Sequence, residues 1–268
     1  MNRRELCLSS LAVWLPLSLI TSFSHLACRE EETVKDPDIL THFAFGSCNK
    51  QDKLQTHWPI IHGKKPQGWL WMGDSIYADN ASPTQRAGEY RRLLSDKGYY
   101  ALAKSGFLLG TWDDHDYAHN DAGAEFSERE ESKQIFLDFM GEDPDSPRRS
   151  RPGVFDSRSI GKAESSVQFI LLDMRYFNVD EGIDADPLGE SQWAWLENEI
   201  RKPGASLKIL VSSLQVLTNF TGKETWATFP EAQSRLLLLI AESPVPLLIL
   251  SGDRHLTEFS KRDVAEGR

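Results

Sequence analysis

The segment TWDDHDYAHNDAG, residues 111–123, concentrates ionisable side chains that could bind metal ions. Nine consecutive positions hold four aspartates and two histidines, which are Asp113, Asp114, His115, Asp116, His119 and Asp121. Carboxylates this close together cannot all stay ionised in a folded protein unless cations neutralise them. The segment therefore predicts either a solvated acidic loop or a site for multivalent cations.

Six apolar runs along the chain each end in polar or ionisable residues. The runs are LTHFAFGSC, GWLWMGDSIY, FLLGTWDDHD, VQFILLDMRYF, LKILVSSLQVL and PLLILSGDRHL. Their lengths and composition predict strands that end in loops. Apart from residues 113–116, the side chains at their ends are Cys48, Asp74, Tyr77, Asp173, Arg175, Gln215, Asp253 and His255.

Each of these residues has an ordinary structural explanation when it is considered alone. A Gly-Asp pair often forms a turn, a single cysteine is usually a buried apolar group, and tyrosines commonly pack. Six strand ends that all carry metal-binding side chains are harder to explain in that way. Carboxylates suit calcium, magnesium or manganese, whereas imidazole, thiolate and phenolate suit iron or zinc. The set predicts a site for two different metals, which would clamp a phosphate ester and activate water.

Helices are predicted between the strands, over residues 84–94, 125–141, 189–204 and 230–243. Apolar strands that alternate with helices predict an α/β architecture with strands buried on both faces. Ligands of such folds collect beyond the carboxyl ends of the strands, so the fold would bring the strand-end residues together. Residues 142–156 predict a surface loop, and its arginines, Arg148, Arg149 and Arg151, are expected to be solvated rather than bound to substrate.

The charge balance excludes one class of partner. The 268 residues carry 40 acidic and 30 basic side chains, which gives a formal net charge of -10 and a pI of about 5.2. Such a protein is not attracted to a phosphate backbone as a whole. We therefore expect no nucleic-acid binding partner.

The N-terminus predicts export from the cytoplasm. Arg3 and Arg4 precede an apolar stretch over residues 6–20, which is typical of a secretory signal, here assigned to residues 1–28. Cys28 predicts either lipoprotein processing, with a membrane tether on that cysteine, or ordinary cleavage near Ala27. Residues 29–39 predict a linker, and residues 40–268 a catalytic domain. The expected location is periplasmic, on the cell surface as a lipoprotein, or secreted.

The motifs together resemble a known family. In order, FAFGSCNKQDK, WLWMGDSIYAD, GTWDDHDYAHNDAGAEF, ILLDMRYF, VSSLQVL and LSGDRHLTE resemble the alkaline phosphatase D (PhoD-like) family of metallophosphatases. This family is related to the calcineurin-like metallophosphoesterases, so the resemblance implies a metallophosphoesterase-type β-sandwich flanked by helices. It also implies a phosphomonoesterase or phosphodiesterase that acts on small phosphate esters. The implied cofactors are iron (Fe3+) with calcium, and other divalent metals are alternatives.

The resemblance also assigns roles to residues. It implies that Cys48 and Tyr77 bind the transition metal and that Asp74 bridges the two metals. His115 matches the histidine that contacts phosphate and protonates the leaving group. The implied catalytic residues are His115 and Asp114, and the implied metal ligands are Cys48, Asp74, Tyr77, Asp114, Asp253 and His255.

Two features depart from the family pattern. Gln215 stands where the wider superfamily has a metal-binding histidine, so it is expected to be a weaker ligand or to hold a water molecule. The chain also ends shortly after the GDRH motif, whereas family members continue, which predicts a C-terminally truncated fold. A truncated fold could lack support for the metal ligands. This leaves an alternative function, a catalytically impaired surface lipoprotein that binds metal or phosphate.

Overall fold

The computed structural model describes residues 35–179, 185–218 and 223–263, so the predicted signal sequence lies outside the described residues. The described strands form two sheets. The first is parallel and contains β1 (Ala44–Gly46), β2 (Gly68–Met72) and β3 (Phe107–Thr111), in that order. The second has the order β4 (Asp156–Ile160), β5 (Val167–Leu171), β6 (Leu207–Ser212) and β7 (Leu247–Ser251). Only β4 is antiparallel to its neighbour.

All six apolar runs form strands, as their sequences predict. Every residue of β2 and β5 is buried, which explains why both strands lack alternating polar positions. The additional strand, β4, is not indicated by the sequence. Its residues, DSRSI, include only one that is fully buried, and β4 lies at the edge of its sheet.

The helices cover the outer faces of the two sheets. The four predicted helices are α2 (Pro83–Ser95), α5 (Arg129–Phe139), α7 (Gly189–Arg201) and α8 (Pro230–Ile240). Shorter helices are α1 (His57–Gly63), α3 (Lys97–Ala103), α4 (Asp114–Tyr117) and α6 (Pro147–Ser150). Among the described residues, no helix has both the length and the apolar composition needed to cross a membrane.

Three apolar clusters hold these layers together. The central cluster joins Leu70 and Leu109 of the first sheet to Phe169 and Ile209 of the second. A second cluster packs the tryptophans of β2 against helices on one side, and a third packs β5 and β6 against α7 and α8 on the other. The architecture is therefore a sandwich of two sheets flanked by helices, which confirms the predicted fold class.

The segment over residues 142–156 differs from the prediction of a solvated loop. It contains α6, and Arg148 is only 7% exposed. Its guanidinium donates to the carbonyl of Val154 over 2.9 Å and pairs with Glu142 over 3.1 Å. The prediction for Arg148 was wrong because its charge is satisfied inside the segment, where it supports the chain that leads into β4.

Candidate metal centre

The carboxyl ends of four parallel strands position the candidate site. Cys48 follows β1 by two residues, Asp74 follows β2 by two, and Asp253 follows β7 by two. Asp114 lies three residues beyond β3, at the first position of α4. Because parallel strands point in one direction, the loops that follow them meet at one edge of the sandwich.

Two groups of side chains at this edge could each hold a metal ion. The ligand atoms of Cys48, Asp74 and His255 lie within 4.8 Å of one another, and so do those of Asp74, Asp114 and His115. Asp74 belongs to both groups. This is the geometry expected of a carboxylate that bridges two metal ions.

The backbone is strained at these positions. Cys48, Asp74, Asp253 and His255 all adopt the left-handed region, with φ of 57°, 51°, 63° and 52°. Non-glycine residues seldom take this conformation, and strain of this kind concentrates at functional sites. Three of these strained residues, Cys48, Asp74 and His255, are themselves members of the ligand groups.

Glycine 73 allows the strand ends to approach each other. Its φ is +93°, and a Cβ atom placed on it would lie 2.6 Å from the Cβ of Asp113 and 3.0 Å from that of Ser213. Only glycine combines this conformation with this proximity. Gly73 therefore fixes the distance between Asp74 and the residues that follow β3.

Tyr77 lies between the two ligand groups, of which the first contains His255 and the second contains His115. Its hydroxyl lies 2.8 Å from Nε2 of His255 and 3.4 Å from Oδ2 of Asp74. Its ring packs on the imidazole of His115, with a distance of 4.2 Å between ring centroids. The structure thus places Tyr77 beside both groups, with its oxygen directed at the ligands of the first.

Cys48 and Asp253 contact each other through the backbone. The Cys48 thiol donates to the Asp253 carbonyl over 3.4 Å and to the Ser47 hydroxyl over 3.3 Å. The carboxylate of Asp253 is in neither ligand group. The structure therefore brings Cys48 into the site as predicted and places the Asp253 carboxylate at its margin.

His115 is oriented by a residue that the sequence interpretation did not single out. Its Nδ1 lies 2.7 Å from Oδ1 of Asp79, in the loop that follows β2. Asp114 is held by the backbone N–H groups of His115, over 3.0 Å, and Asp121, over 2.7 Å. Asp79 and Asp121, which lie outside the ligand groups, therefore help to hold His115 and Asp114 in place.

Other candidates from the sequence have structural roles. Asp116 is fully buried and accepts hydrogen bonds from the hydroxyls of Ser75, over 2.6 Å, and Tyr90, over 3.1 Å. Asp173 accepts a hydrogen bond from the indole of Trp112 over 2.7 Å. Neither carboxylate is in a ligand group.

Gln215 is also outside both ligand groups. Its side-chain amide is directed at Glu258, 3.4 Å away. Its backbone carbonyl accepts a hydrogen bond from Trp226 over 3.0 Å. Its expected role as a weaker ligand stays a prediction.

Comparison with known proteins is consistent with this arrangement. The sequence profile of the PhoD-like phosphatase family matches residues 43–265. The chain belongs to this family. It is also similar to a solved structure described as "Structure of PhoD", with a TM-score of 0.65 and 19% sequence identity. The match covers 83% of this chain and 53% of that one, so the chain spans about half the length of its PhoD-like relative. A search of curated proteins gives no match.

The PhoD-like site contains a buried guanidinium that balances part of its negative charge. Nε of Arg175 lies 2.5 Å from Asp113, and another nitrogen lies 2.6 Å from Glu224. Asp113 also accepts a hydrogen bond from the Ser213 hydroxyl over 2.8 Å. Arg175 reaches within 4.0 Å of Asp114. The sequence placed Arg175 at a strand end, but Glu224 carries no pattern that could have identified it.

Burial and mutual repulsion raise the pKa values of the acidic groups when no cation is bound. Burial, followed by the charges of Asp113 and Asp114, holds the pKa of Asp74 well above its ordinary value. Burial, then the charge of Asp114, also raises the pKa of Asp253. Burial and the nearby Asp74 raise the pKa of the Cys48 thiol to about 12. The same two causes raise the pKa of Tyr77.

Unpartnered oxygens provide a test of whether metal ions fit this PhoD-like site. Oδ1 of Asp74 and Oδ2 of Asp113 are buried and have no hydrogen-bond partner among the described residues. A buried carboxylate oxygen without a partner is costly, and a cation would supply that partner. The donor set of thiol, phenol, imidazole and carboxylates also suits metals. The residues present therefore fit a metal centre built around Asp74.

Proposed function

We propose that this PhoD-like protein hydrolyses phosphate esters outside the cytoplasm with two metal ions. The observation that carries the proposal is that Asp74 belongs to two ligand groups at once. Thiol and phenol donors near His255 favour a transition metal such as iron, whereas the carboxylates of Asp74 and Asp114 favour calcium. The N-terminal sequence, with its basic residues and apolar stretch, supports export.

The two groups would hold the metals through different residues. Cys48, Tyr77, Asp74 and His255 would hold the transition metal, and Asp74 with Asp114 would hold the second ion. Two bound ions neutralise phosphate oxygens and activate the attacking water. The bridging role of Asp74 is supported by its unpartnered oxygen.

His115 is proposed as the general acid. When the bond between phosphorus and the ester oxygen breaks, that oxygen becomes an alkoxide and takes a proton from Nε2 of His115. The Asp79 carboxylate accepts the hydrogen bond from Nδ1, 2.7 Å away, and so keeps Nε2 directed away from Asp79. Asp79 is therefore a positioning residue for His115.

The experiment compares two histidine variants of the exported, metal-loaded protein. His115→Ala is expected to lower kcat on a chromogenic phosphomonoester by about 10²- to 10⁴-fold. Its metal content, measured by elemental analysis, should stay near that of the native protein, because Asp74 and Asp114, and not His115, are the proposed ligands of the second ion. His119→Ala is the control, because His119 lies in the same segment but in neither ligand group. An unchanged rate for His115→Ala would contradict its role.

A second variant tests the bridging carboxylate. Asp74→Asn removes one negative charge that both groups share, so metal content and turnover should fall together. Retained metal stoichiometry would count against bridging. Comparison of rates on a monoester and a diester then distinguishes a phosphomonoesterase from a phosphodiesterase. Metal without turnover on either substrate would favour the alternative of a metal- or phosphate-binding surface lipoprotein.

A further inference from the structure

A cavity lies beside Tyr77, next to the candidate metal centre. Its volume is about 430 Å³, and Tyr77 is part of its wall. The same tyrosine directs its hydroxyl at His255 and Asp74. A volume of this size falls in the range that accommodates small organic ligands. A substrate bound at the metal centre could therefore extend past Tyr77 into this cavity.

One lysine of the cavity, Lys50, forms no ion pair within 4.0 Å among the described residues, although the charge of the nearby Asp52 also acts on it. Lys53 pairs with Asp52 over 2.9 Å, and Arg92 lies 3.5 Å from Glu89, so these two cations are balanced by neighbours. Nζ of Lys50 lies 3.8 Å from the centroid of the Tyr77 ring. An ammonium over an aromatic face keeps its charge available to a further anion.

The backbone around Lys50 is fixed to the loop that carries Tyr77. The side-chain amide of Gln51 donates to the Tyr77 carbonyl over 2.9 Å and accepts from the Tyr77 N–H over 2.8 Å. The N–H of Asn49 donates to the Asp74 carbonyl over 2.8 Å. These bonds on both sides of Lys50 hold its backbone in register with the metal-binding loop. The backbone of Lys50 is therefore held beside this loop, and its exposed side chain places the ammonium over the Tyr77 ring.

We infer that this cavity is a subsite for a second negatively charged group on the substrate, bound by Lys50. The inference rests on the proposed function. The metal-binding loops are rich in carboxylates, which repel an anionic substituent, whereas Lys50 offers a cation on the wall of the cavity that shares Tyr77 with the metal centre. The substrate class is therefore a phosphate ester whose alcohol part carries a further carboxylate or phosphate.

The experiment uses pairs of substrates that differ in one anionic group. In 2-phosphoglycerate a carboxylate replaces one hydroxymethyl group of glycerol 2-phosphate. Fructose 1,6-bisphosphate and fructose 6-phosphate form the corresponding pair for a second phosphate. The metal-loaded native protein should have a higher kcat/KM for the more anionic member of at least one pair, which also shows whether carboxylate or phosphate is preferred.

Lys50→Gln should lower kcat/KM for the preferred anionic substrate about 10-fold and change that for its less charged partner less than 3-fold. Lys53→Gln is the matched control, since Lys53 borders the same cavity but is paired with Asp52, and both values should stay within 3-fold. Equal losses on both substrates of a pair would overturn the subsite, because Lys50 would then act on the reacting phosphate. Equal kcat/KM values of the native protein for both members of each pair would overturn the subsite as well.

Failure of the proposed function would give a different result. If no ester is hydrolysed, 2-phosphoglycerate becomes a stable probe, and its binding to the metal-loaded protein can be measured by titration calorimetry. Weaker binding to Lys50→Gln than to Lys53→Gln would then support the subsite without catalysis. Equal binding to both variants would overturn it.

Discussion

Replacement of Gly73 by alanine would place a methyl group between the ends of three strands. Gly73 follows β2, and the added Cβ would lie 2.6 Å from the Cβ of Asp113, after β3, and 3.0 Å from that of Ser213, after β6. Real Cβ atoms do not approach this closely, so at least one of the strand ends must move. Asp74 is the next residue, which means that the movement would displace the carboxylate shared by the two ligand groups.

The expected loss of stability has two parts. An alanine at a φ of +93° is strained by about 1–3 kcal/mol. Overpacking of a filled site adds about 1–3 kcal/mol. Gly204 separates the two parts, because its φ is +107° but nothing lies within 4 Å of an added Cβ. Gly204→Ala should therefore show only the first loss, and Gly73→Ala should be about 1–3 kcal/mol less stable than Gly204→Ala.

Urea unfolding of the metal-free native protein and the two variants measures these losses directly. In thermal unfolding, the additional loss in Gly73→Ala corresponds to roughly 2–12 °C, at about 2–4 °C per kcal/mol. Metal content should fall in Gly73→Ala and stay unchanged in Gly204→Ala. Equal stability of the two variants, together with native metal content in both, would refute the role of Gly73.

Two further predictions follow from the acidic site. Asp79→Asn should lower kcat about 5- to 30-fold with unchanged metal content, because a hydrogen bond between charged groups contributes about 1.5–3 kcal/mol and Asp79 is partly exposed. A larger loss that included metal would instead indicate a ligand. In the metal-free protein, the raised pKa values of Asp74, Asp113 and Asp253 mean that the folded state binds more protons than the unfolded state. Their contribution to stability is present below the ordinary carboxyl pKa and is lost as the pH rises through the raised values. The difference in Tm between metal-loaded and metal-free protein should therefore widen as the pH rises above the ordinary carboxyl pKa, and a constant difference would contradict this.

Most of the fold could be predicted because buried strands have a clear sequence pattern. The runs that form β2 and β5 are apolar at nearly every position, which is what burial on both faces requires. Strand β4 has no such pattern, since most of its residues are partly or fully exposed. Its position depends on hydrogen bonds to β5, and these are set by the tertiary fold rather than by local composition.

The candidate metal ligands could be predicted better than the residues that hold them in place. Cys48, Asp74 and His255 each follow an apolar run, so the strand pattern itself indicates where they meet. Asp79 and Glu224 lie in loops without a periodic pattern. Their roles depend on which histidine or arginine comes within hydrogen-bonding distance, and this is visible only in three dimensions.

The charge balance of the buried site argues for more than one cation. Asp74, Asp113, Asp114, Asp253 and Glu224 supply five carboxylates, whereas the guanidinium groups that act on them among the described residues are two, those of Arg175 and Arg254. A folded protein can reduce such an excess only by binding protons or by binding cations. The raised pKa values of Asp74 and Asp253 are the first route, and the unpartnered oxygen of Asp74 is open to the second. Because both routes use the same carboxylates, protons and metal ions must compete, and metal affinity should fall as the solution becomes more acidic.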